Sequence, residues 1–209
     1  MYEAYLAIKW FKKIWNYSVK RVIDVLLGIT GLTIVLPLWI IIGIAIRLDS
    51  PGPVFYCQRR LGKQGRPFRL IKLRTMVHNT ESISGPIWSY QKDERITRIG
   101  RFLRRWHIDE TPQFINVLLG HMSIVGPRPE REEIVNKLHC LIPHYQERLQ
   151  VKPGITGLSQ IHLGYDSCIQ DVRRKVRYDL LYIKKMCAYL DMKILYLTII
   201  YVIQEKECY

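Results

Sequence analysis

The spacing of apolar positions changes several times along the chain, and each change marks an element. From Val25 to Ile46, 22 residues pass without a charge, and 14 of them are Leu, Ile or Val. A straight helix of that length reaches about 33 Å, close to the hydrocarbon thickness of a bilayer. At about 0.3–0.6 kcal/mol per Leu, Ile or Val, the run favours insertion by about 4–8 kcal/mol before Gly, Thr and Pro are set against it. Pro37 lies inside it, and the missing amide leaves the carbonyl of Thr33 without its helical donor, so a kink is expected there. Further on, the β-rich stretches Val54–Arg60 and Pro67–Thr75 flank "LGKQG" and predict a hairpin with basic side chains on one face. Residues 77 to 92 are polar and predict a loop. Thr111, Pro112 and the apolar residues up to Gly120 predict a short helix, with Thr111 as cap and Gly120 as terminator. "VKPGITG", residues 151 to 157, predicts a tight turn, and Asp171 to Ile203 a helix. Its end, Met192 to Ile203, is apolar except for Lys193 and too short to span, so it packs on the core or lies at an interface.

Charge places these elements. Lys and Arg number 32 against 18 Asp and Glu, a net charge of +14, which calls for an anionic partner: nucleic acid, lipid headgroups or nucleotide phosphates. Lys9, Lys12, Lys13, Lys20 and Arg21 precede the apolar run, and Arg47, Arg59, Arg60, Lys63 and Arg66 follow it. The positive-inside count therefore ties, which suits both ends on the cytoplasmic side. Trp10, Phe11, Trp15 and Tyr17 among the first lysines suit a helix at the headgroup level. The five cysteines are scattered without C-x-x-C or zinc spacing, which favours reduced thiols over a disulfide framework. No H-x-x-x-H pair, G-x-x-x-x-G-K loop or strand followed by G-x-G-x-x-G is present, which disfavours zincin, Walker and Rossmann chemistries.

Candidate chemistry concentrates between Asp93 and Pro129. Arg95, Arg98, Arg101, Arg104 and Arg105 lead into the adjacent carboxylates Asp109 and Glu110, and Arg128 follows in "VGPRP". Guanidinium forks at spacings of three suit phosphate oxygens, so the segment reads as an anion site. Carboxylates amid that charge are expected to stay ionised, available as a nucleophile, a base or ligands for a hard metal ion. Asp93 with Glu94 and Glu132 with Glu133 are equally adjacent. Only Asp109 and Glu110 are placed by their neighbours at a helix start, where acids are also stabilised by free amides alone.

Four segments stand in order: "KRVIDVLLG" from Lys20, "SPGPVFYCQRRLGKQGRPFRLIKLRTM" from Ser50, "TRIGRFLRRWHIDETPQFINVLLGHMSIVGPRPE" from Thr97 and "VKPGITGLSQ" from Val151. On them the chain resembles the monotopic phosphoglycosyl transferases, bacterial sugar transferases that make polyprenol-diphosphate-linked sugars. The resemblance implies that Asp109 attacks the sugar-bearing phosphate of a UDP-sugar, releases UMP and holds the phosphosugar until polyprenyl (undecaprenyl) phosphate collects it. Glu110 resembles the partner acid that, with Asp109, positions Mg²⁺. Lys72 and Arg74 in the "K-L-R-T-M" segment, Arg104, Arg128 and Asp179 correspond to substrate-binding positions, and Asp191 to a further acid. Two departures are Leu36 where relatives carry Ser before the membrane proline, and Arg131 and Glu132 where "GPRPE" often continues with Pro.

The fold expected is α+β. An interfacial segment spans residues 1–20, a re-entrant membrane helix kinked at Pro37 spans 21–48, and a cytoplasmic-face catalytic domain spans 49–209 with a small hairpin and interfacial helices. The resemblance implies the short form, with the catalytic unit only, on the bacterial inner membrane among its lipids. Nucleic acid is not an expected partner, and no motif marks the sugar or an oligomer. Two other readings are a membrane-tethered basic protein that binds nucleic acid or anionic lipid without catalysis, and a membrane glycosyltransferase that releases UDP.

Overall fold

The structure, a computed structural model, describes residues 2–78, 93–163 and 168–204, and the side chains of its first helix from residue 17 onward. Helix α1 runs from Tyr2 to Asp49 with Pro37 inside it, continuing across the boundary expected at residue 20. Its stretch Tyr17–Asp49 is the one described helix long and apolar enough to cross a membrane. Most of the large apolar side chains from Val22 to Leu48 face outward, Leu48 being 83% exposed. In water such a surface would be costly, whereas in hydrocarbon it is the favourable state. The Thr33 hydroxyl donates to the carbonyl of Ile29 at 2.9 Å rather than serving the carbonyl that Pro37 orphans.

Polar contacts hold both ends of this apolar stretch against one domain. At the first end, Lys20 Nζ donates to Asp191 Oδ2 at 2.7 Å and to the carbonyl of Val125 at 2.9 Å. Arg21 donates to the last carbonyls of a short helix at Val117 and Leu118, the ordinary place for a cation at a helix C-terminus. Asp24, 4% exposed, accepts from the Ser123 hydroxyl and the amide of Ile124, both at 2.9 Å. At the other end, Asp49 Oδ2 accepts from the amide of Ile99 at 2.8 Å. Between them Gly31 admits the Phe114 ring so closely that a Cβ would lie 2.7 Å from it. A larger residue in α1 would push the helix off the domain.

Strands β1 (Phe55–Leu61) and β2 (Pro67–Leu73) pair antiparallel, Phe55 opposite Leu73 and Leu61 opposite Pro67, as the hairpin reading expected. The connecting turn places Gln64 and Gly65 at positive φ. The basic residues divide between faces, however. Arg59 pairs with Arg69 on one face, while the register puts Arg60 opposite Phe68 and Lys72 opposite Tyr56 on the other.

Helix α2 (Arg98–Arg105) is capped by Thr97, whose side chain accepts from the amide of Gly100 at 3.0 Å. A 3-10 turn, Ile108–Glu110, leads into α3 (Gln113–Leu118). Thr111 is not the cap expected from sequence: its hydroxyl donates back to the carbonyl of Ile108 at 2.8 Å and accepts from Trp39 Nε1 at 3.0 Å. Gly120 ends the segment at φ +81°, the role expected of it.

Where a tight turn was expected at 151–157, β4 (Gly154–Thr156) pairs in parallel with β3 (Ser123–Val125). Helix α4 (Glu132–Leu141) lies between them in sequence, and α5 (Leu158–His162) follows β4. The helix expected over 171–203 is two, α6 (Ile169–Lys185) and α7 (Ala188–Gln204), broken at Met186, whose ψ of 120° is extended. Helix α7 meets the expectation that the apolar C-terminal stretch packs on the core. Ile194 is fully buried in the core, while Tyr189, Met192, Tyr196, Ile199 and Ile203 form an exposed apolar stripe.

One core cluster joins the hairpin to α3, β3, α6 and α7 through Phe68, Leu70, Val117, Met122, Ile124, Val125, Tyr182 and Ile194. A second, with Ile46, Leu73 and Leu103 at its centre, locks α1 and α2 onto β2. At about 1.5–3 kcal/mol per fully buried large aliphatic side chain, these three fix the site's walls to α1. The hairpin, α2 and α3 are thereby brought around Asp109 and Glu110. The loop expected over 77–92 falls almost wholly outside the described residues, as do the side chains of Trp10, Phe11 and Trp15.

Candidate functional site

Gly100 sets the site's geometry. A Cβ there would lie 2.0 Å from the carbonyl of Thr75, so only glycine lets α2 approach the end of the hairpin this closely. That approach brings Arg104 Nε to the Thr75 hydroxyl at 2.9 Å. His107, left-handed at φ 52°, then turns the chain into the 3-10 turn that carries Asp109 and Glu110 inward, at 7% and 9% exposure.

The two acids have opposite surroundings. Glu110 Oε1 accepts from Lys72 Nζ and from Arg128 Nη2, both at 2.6 Å, and its Oε2 accepts from Arg128 Nη1 at 3.2 Å. Burial alone would raise the Glu110 carboxyl, but Arg128 and Lys72 hold it well below the usual range. Glu110 in turn keeps the Arg128 guanidinium charged. Asp109 accepts no hydrogen bond and joins no ion pair among the described residues. Burial, helped by the Glu110 charge, pushes its carboxyl up against the pull of Lys72 and Arg104. The expectation that both acids are held alike in their ionised forms therefore gives way to a division. Glu110 is a clamped anion, and Asp109 is a buried carboxylate whose affinity for a proton is raised.

Lys72, Arg104, Arg128, Asp109 and Glu110 are thus brought together. Arg74 is not among them. It is buried at 6% exposure, and its guanidinium donates to the carbonyls of Ser50 at 2.6 Å and Pro51 at 2.7 Å, closing the C-terminal end of α1. Asp179 is 1% exposed, with its oxygens taken by Arg148 at 2.7 Å and Ser159 at 2.8 Å, so it faces the protein rather than a substrate. Asp191 serves Lys20 and the Tyr182 hydroxyl. Of the arginine run, Arg98, Arg101 and Arg105 are exposed along α2 and Arg95 pairs with Asp93 at 2.6 Å, which leaves Arg104 as the member directed to Thr75 beside the acids. Glu132 belongs to the surface, 3.5 Å from Arg59.

The donor set suits a hard divalent cation in part. Among the described residues Asp109 has both oxygens uncommitted, and Glu110 Oε2 keeps only its longer bond to Arg128. Mg²⁺ is commonly held by one or two carboxylates, with substrate phosphates and water completing its shell. No cluster of three or more His, Cys, Asp or Glu side chains is found among the described residues, so any such ion would depend on substrate oxygens.

The profile of the family described as bacterial sugar transferase matches residues 15–205. The chain belongs to that family. It is 41% identical over 181 residues to the UDP-N-acetylgalactosamine-undecaprenyl-phosphate N-acetylgalactosaminephosphotransferase of Aeromonas hydrophila, covering 87% of this chain and 43% of that protein. It is 39% identical over 198 residues to the UDP-glucose:undecaprenyl-phosphate glucose-1-phosphate transferase of Escherichia coli K12, covering 93% and 42%. The exopolysaccharide production protein PSS of Rhizobium leguminosarum is 36% identical over 193 residues, covering 87% and 93%. The chain thus spans about two fifths of the length of the Aeromonas and Escherichia relatives and nearly all of the Rhizobium one.

Residues that the sequence reading passed over complete the site. Asn116, 1% exposed on α3, accepts from the amide of Ile71 at 3.0 Å and donates to the carbonyl of Arg69 at 2.7 Å. It takes the place of a third strand along β2 and steadies the segment that presents Lys72. Its signal was a lone amide in the apolar run "FINVLLG". Thr75 and Arg148 carried no such signal, since a threonine after a strand and an arginine amid polar residues are ordinary surface patterns.

Proposed function

We propose that this protein transfers a sugar-1-phosphate from a UDP-sugar to polyprenyl (undecaprenyl) phosphate through a phosphosugar-aspartate intermediate. The observation that carries the reading is the pairing of a buried Asp109, without a hydrogen-bond or ion-pair partner among the described residues, with a Glu110 clamped by Lys72 and Arg128. That arrangement, in a member of the bacterial sugar transferase family, supplies a nucleophile beside fixed positive charge. In the first displacement an Asp109 oxygen bonds the sugar-bearing phosphorus, the bridging P–O bond breaks and UMP leaves with that electron pair. In the second, a phosphate oxygen of the polyprenyl phosphate bonds the same phosphorus, and the Asp109 carboxylate departs. Arg128, Arg104 and Lys72 oppose the charge that builds on the phosphoryl oxygens, and the names of the Aeromonas and Escherichia relatives, which pair a sugar donor with undecaprenyl phosphate, support both substrates.

Asp109 and Glu110 would hold Mg²⁺, which supplies charge neutralisation at the diphosphate. The chain's own part is to keep Glu110 anionic and to leave an Asp109 oxygen open for attack on phosphorus. For α1 we adopt the re-entrant reading, with both ends on the cytoplasmic side of a bacterial inner membrane. It is supported by the Lys20–Asp191 pair near one end of the apolar stretch and the Asp49–Ile99 contact at the other, since a single domain holds both. The exposed stripe of α7 and the outward side chains of α1 would face lipid. The experiment is a panel of UDP-sugars with polyprenyl phosphate in detergent. UMP release is expected for at least one donor. UDP release would replace the reading with glycosyl transfer, and no turnover together with strongly salt-dependent anion binding would favour a basic binding protein.

A further inference from the structure

Arg128 stands in a segment that cannot be held through its own amides on either flank, because Pro127 and Pro129 have none. The segment is fixed by its carbonyls instead, each of the four from Pro127 to Glu130 accepting from a different donor. The amide of Gly154 reaches Pro127 at 2.9 Å, and the amide of Leu61 reaches Glu130 at 3.0 Å. Arg60 Nη1 reaches Pro129 at 3.1 Å, and Arg148 Nη2 reaches the carbonyl of Arg128 itself at 3.2 Å.

Arg148 is itself immobilised. It is 7% exposed, its Nη2 also donates to Asp179 Oδ2 at 2.7 Å, and its Nη1 donates to the Tyr145 hydroxyl at 2.9 Å. Ser159 Oγ occupies the other Asp179 oxygen at 2.8 Å. The network joins α6, α5 and the 3-10 turn Tyr145–Gln150 to the main chain of a single residue. A buried ion pair contributes little net stability, since desolvation offsets the attraction. A fixed location is what it does provide.

We infer that the Arg148–Asp179 pair positions Arg128, setting where its guanidinium meets the phosphates of the substrate. The inference rests on the phosphosugar-transfer reading, in which Arg128 binds those phosphates. The Arg128 side chain is 41% exposed, clamped on Glu110 at one edge and open at the other. A displacement of about 1 Å at such a group costs on the order of 100-fold in rate. Arg148 and Asp179 act through that displacement and touch no substrate.

The test is a mutational cycle on the full chain, using a UDP-sugar that the unmodified protein turns over and polyprenyl phosphate, with UMP release as readout. Arg148→Met with Asp179→Leu replaces the ion pair by apolar side chains of similar reach, which ordinarily preserves folding. With Arg128 present, this double change is expected to lower kcat/KM by about 10–100-fold while the melting temperature stays near the original. In an Arg128→Ala background it is expected to lower it no further, because the pair acts through Arg128. Unchanged activity of the apolar pair, or losses that multiply in the Arg128→Ala background, would overturn the inference. Should the apolar pair fail to fold, Arg148→Lys carries the same cycle, since one ammonium keeps the charge beside Asp179 without the second guanidinium arm. If the unmodified protein releases UMP from no UDP-sugar, the functional reading itself fails and the inference falls with it.

Discussion

Replacing Glu110 by Gln removes one negative charge from between Lys72 and Arg128 and leaves their shape intact. Removing one member of a fully buried pair costs about 3–5 kcal/mol. Here solvent reaches both cations, Lys72 at 20% and Arg128 at 41% side-chain exposure, so the cost is discounted to about 2 kcal/mol at neutral pH. For a chain of this size that corresponds to a fall in Tm of about 4–8 °C. The sign of the pH dependence follows from the lowered Glu110 carboxyl. Its contribution is fully present above the unfolded value of about 4.5, shrinks as pH falls below it and vanishes once the folded value is passed. Thermal melts of the purified protein and of Glu110→Gln in the same detergent should therefore show a constant gap between about pH 7.5 and 5.5, and a narrower one at about pH 3.5. No gap at neutral pH, or an undiminished gap in acid, would refute the clamp.

Asn116→Leu leaves the amide of Ile71 and the carbonyl of Arg69 unpaired, which at about 1–3 kcal/mol each should destabilise the chain by about 3 kcal/mol in a melt; a loss under about 1 kcal/mol would remove Asn116 from its role. EDTA should stop UMP release and Mg²⁺ restore it, and Glu110→Gln should raise the Mg²⁺ concentration required; an unaltered requirement would move the metal elsewhere. For topology, single cysteines replace the exposed Ser18 and Arg66 in a variant lacking the native thiols, since Ser50, next to the helix end, is buried. Protection of both sites from an impermeant reagent until lysis is expected, and labelling at Ser18 in intact cells would establish a span.

What the sequence made legible was local in cause. The apolar run of α1, the hairpin around "LGKQG" and the glycine stop at Gly120 each follow from a few neighbouring residues, and each is present. The β3–β4 pair escaped because its partners are about thirty residues apart and three residues long, too short to show a period. Arg74 and Asp179 illustrate the same limit at the site. Their residue types suit anion chemistry, but their contacts, with the end of α1 and with Arg148, arise from long-range packing. The split between Asp109 and Glu110 was hidden for that reason too. The family resemblance gave the two acids distinct roles, but their different electrostatic surroundings come from the positions of Lys72 and Arg128.

Asp109 as the covalent nucleophile is the centre of this account, and trapping the intermediate tests it most directly. The protein is incubated with a UDP-sugar labelled in the sugar-bearing phosphate, without lipid acceptor, then digested and mapped. The account predicts acid-stable, hydroxylamine-sensitive label on the peptide containing Asp109, chased by polyprenyl phosphate and absent from a folded Asp109→Asn variant. Full labelling of that variant, or UMP release by the original protein only when acceptor is present and with no label retained, would contradict it.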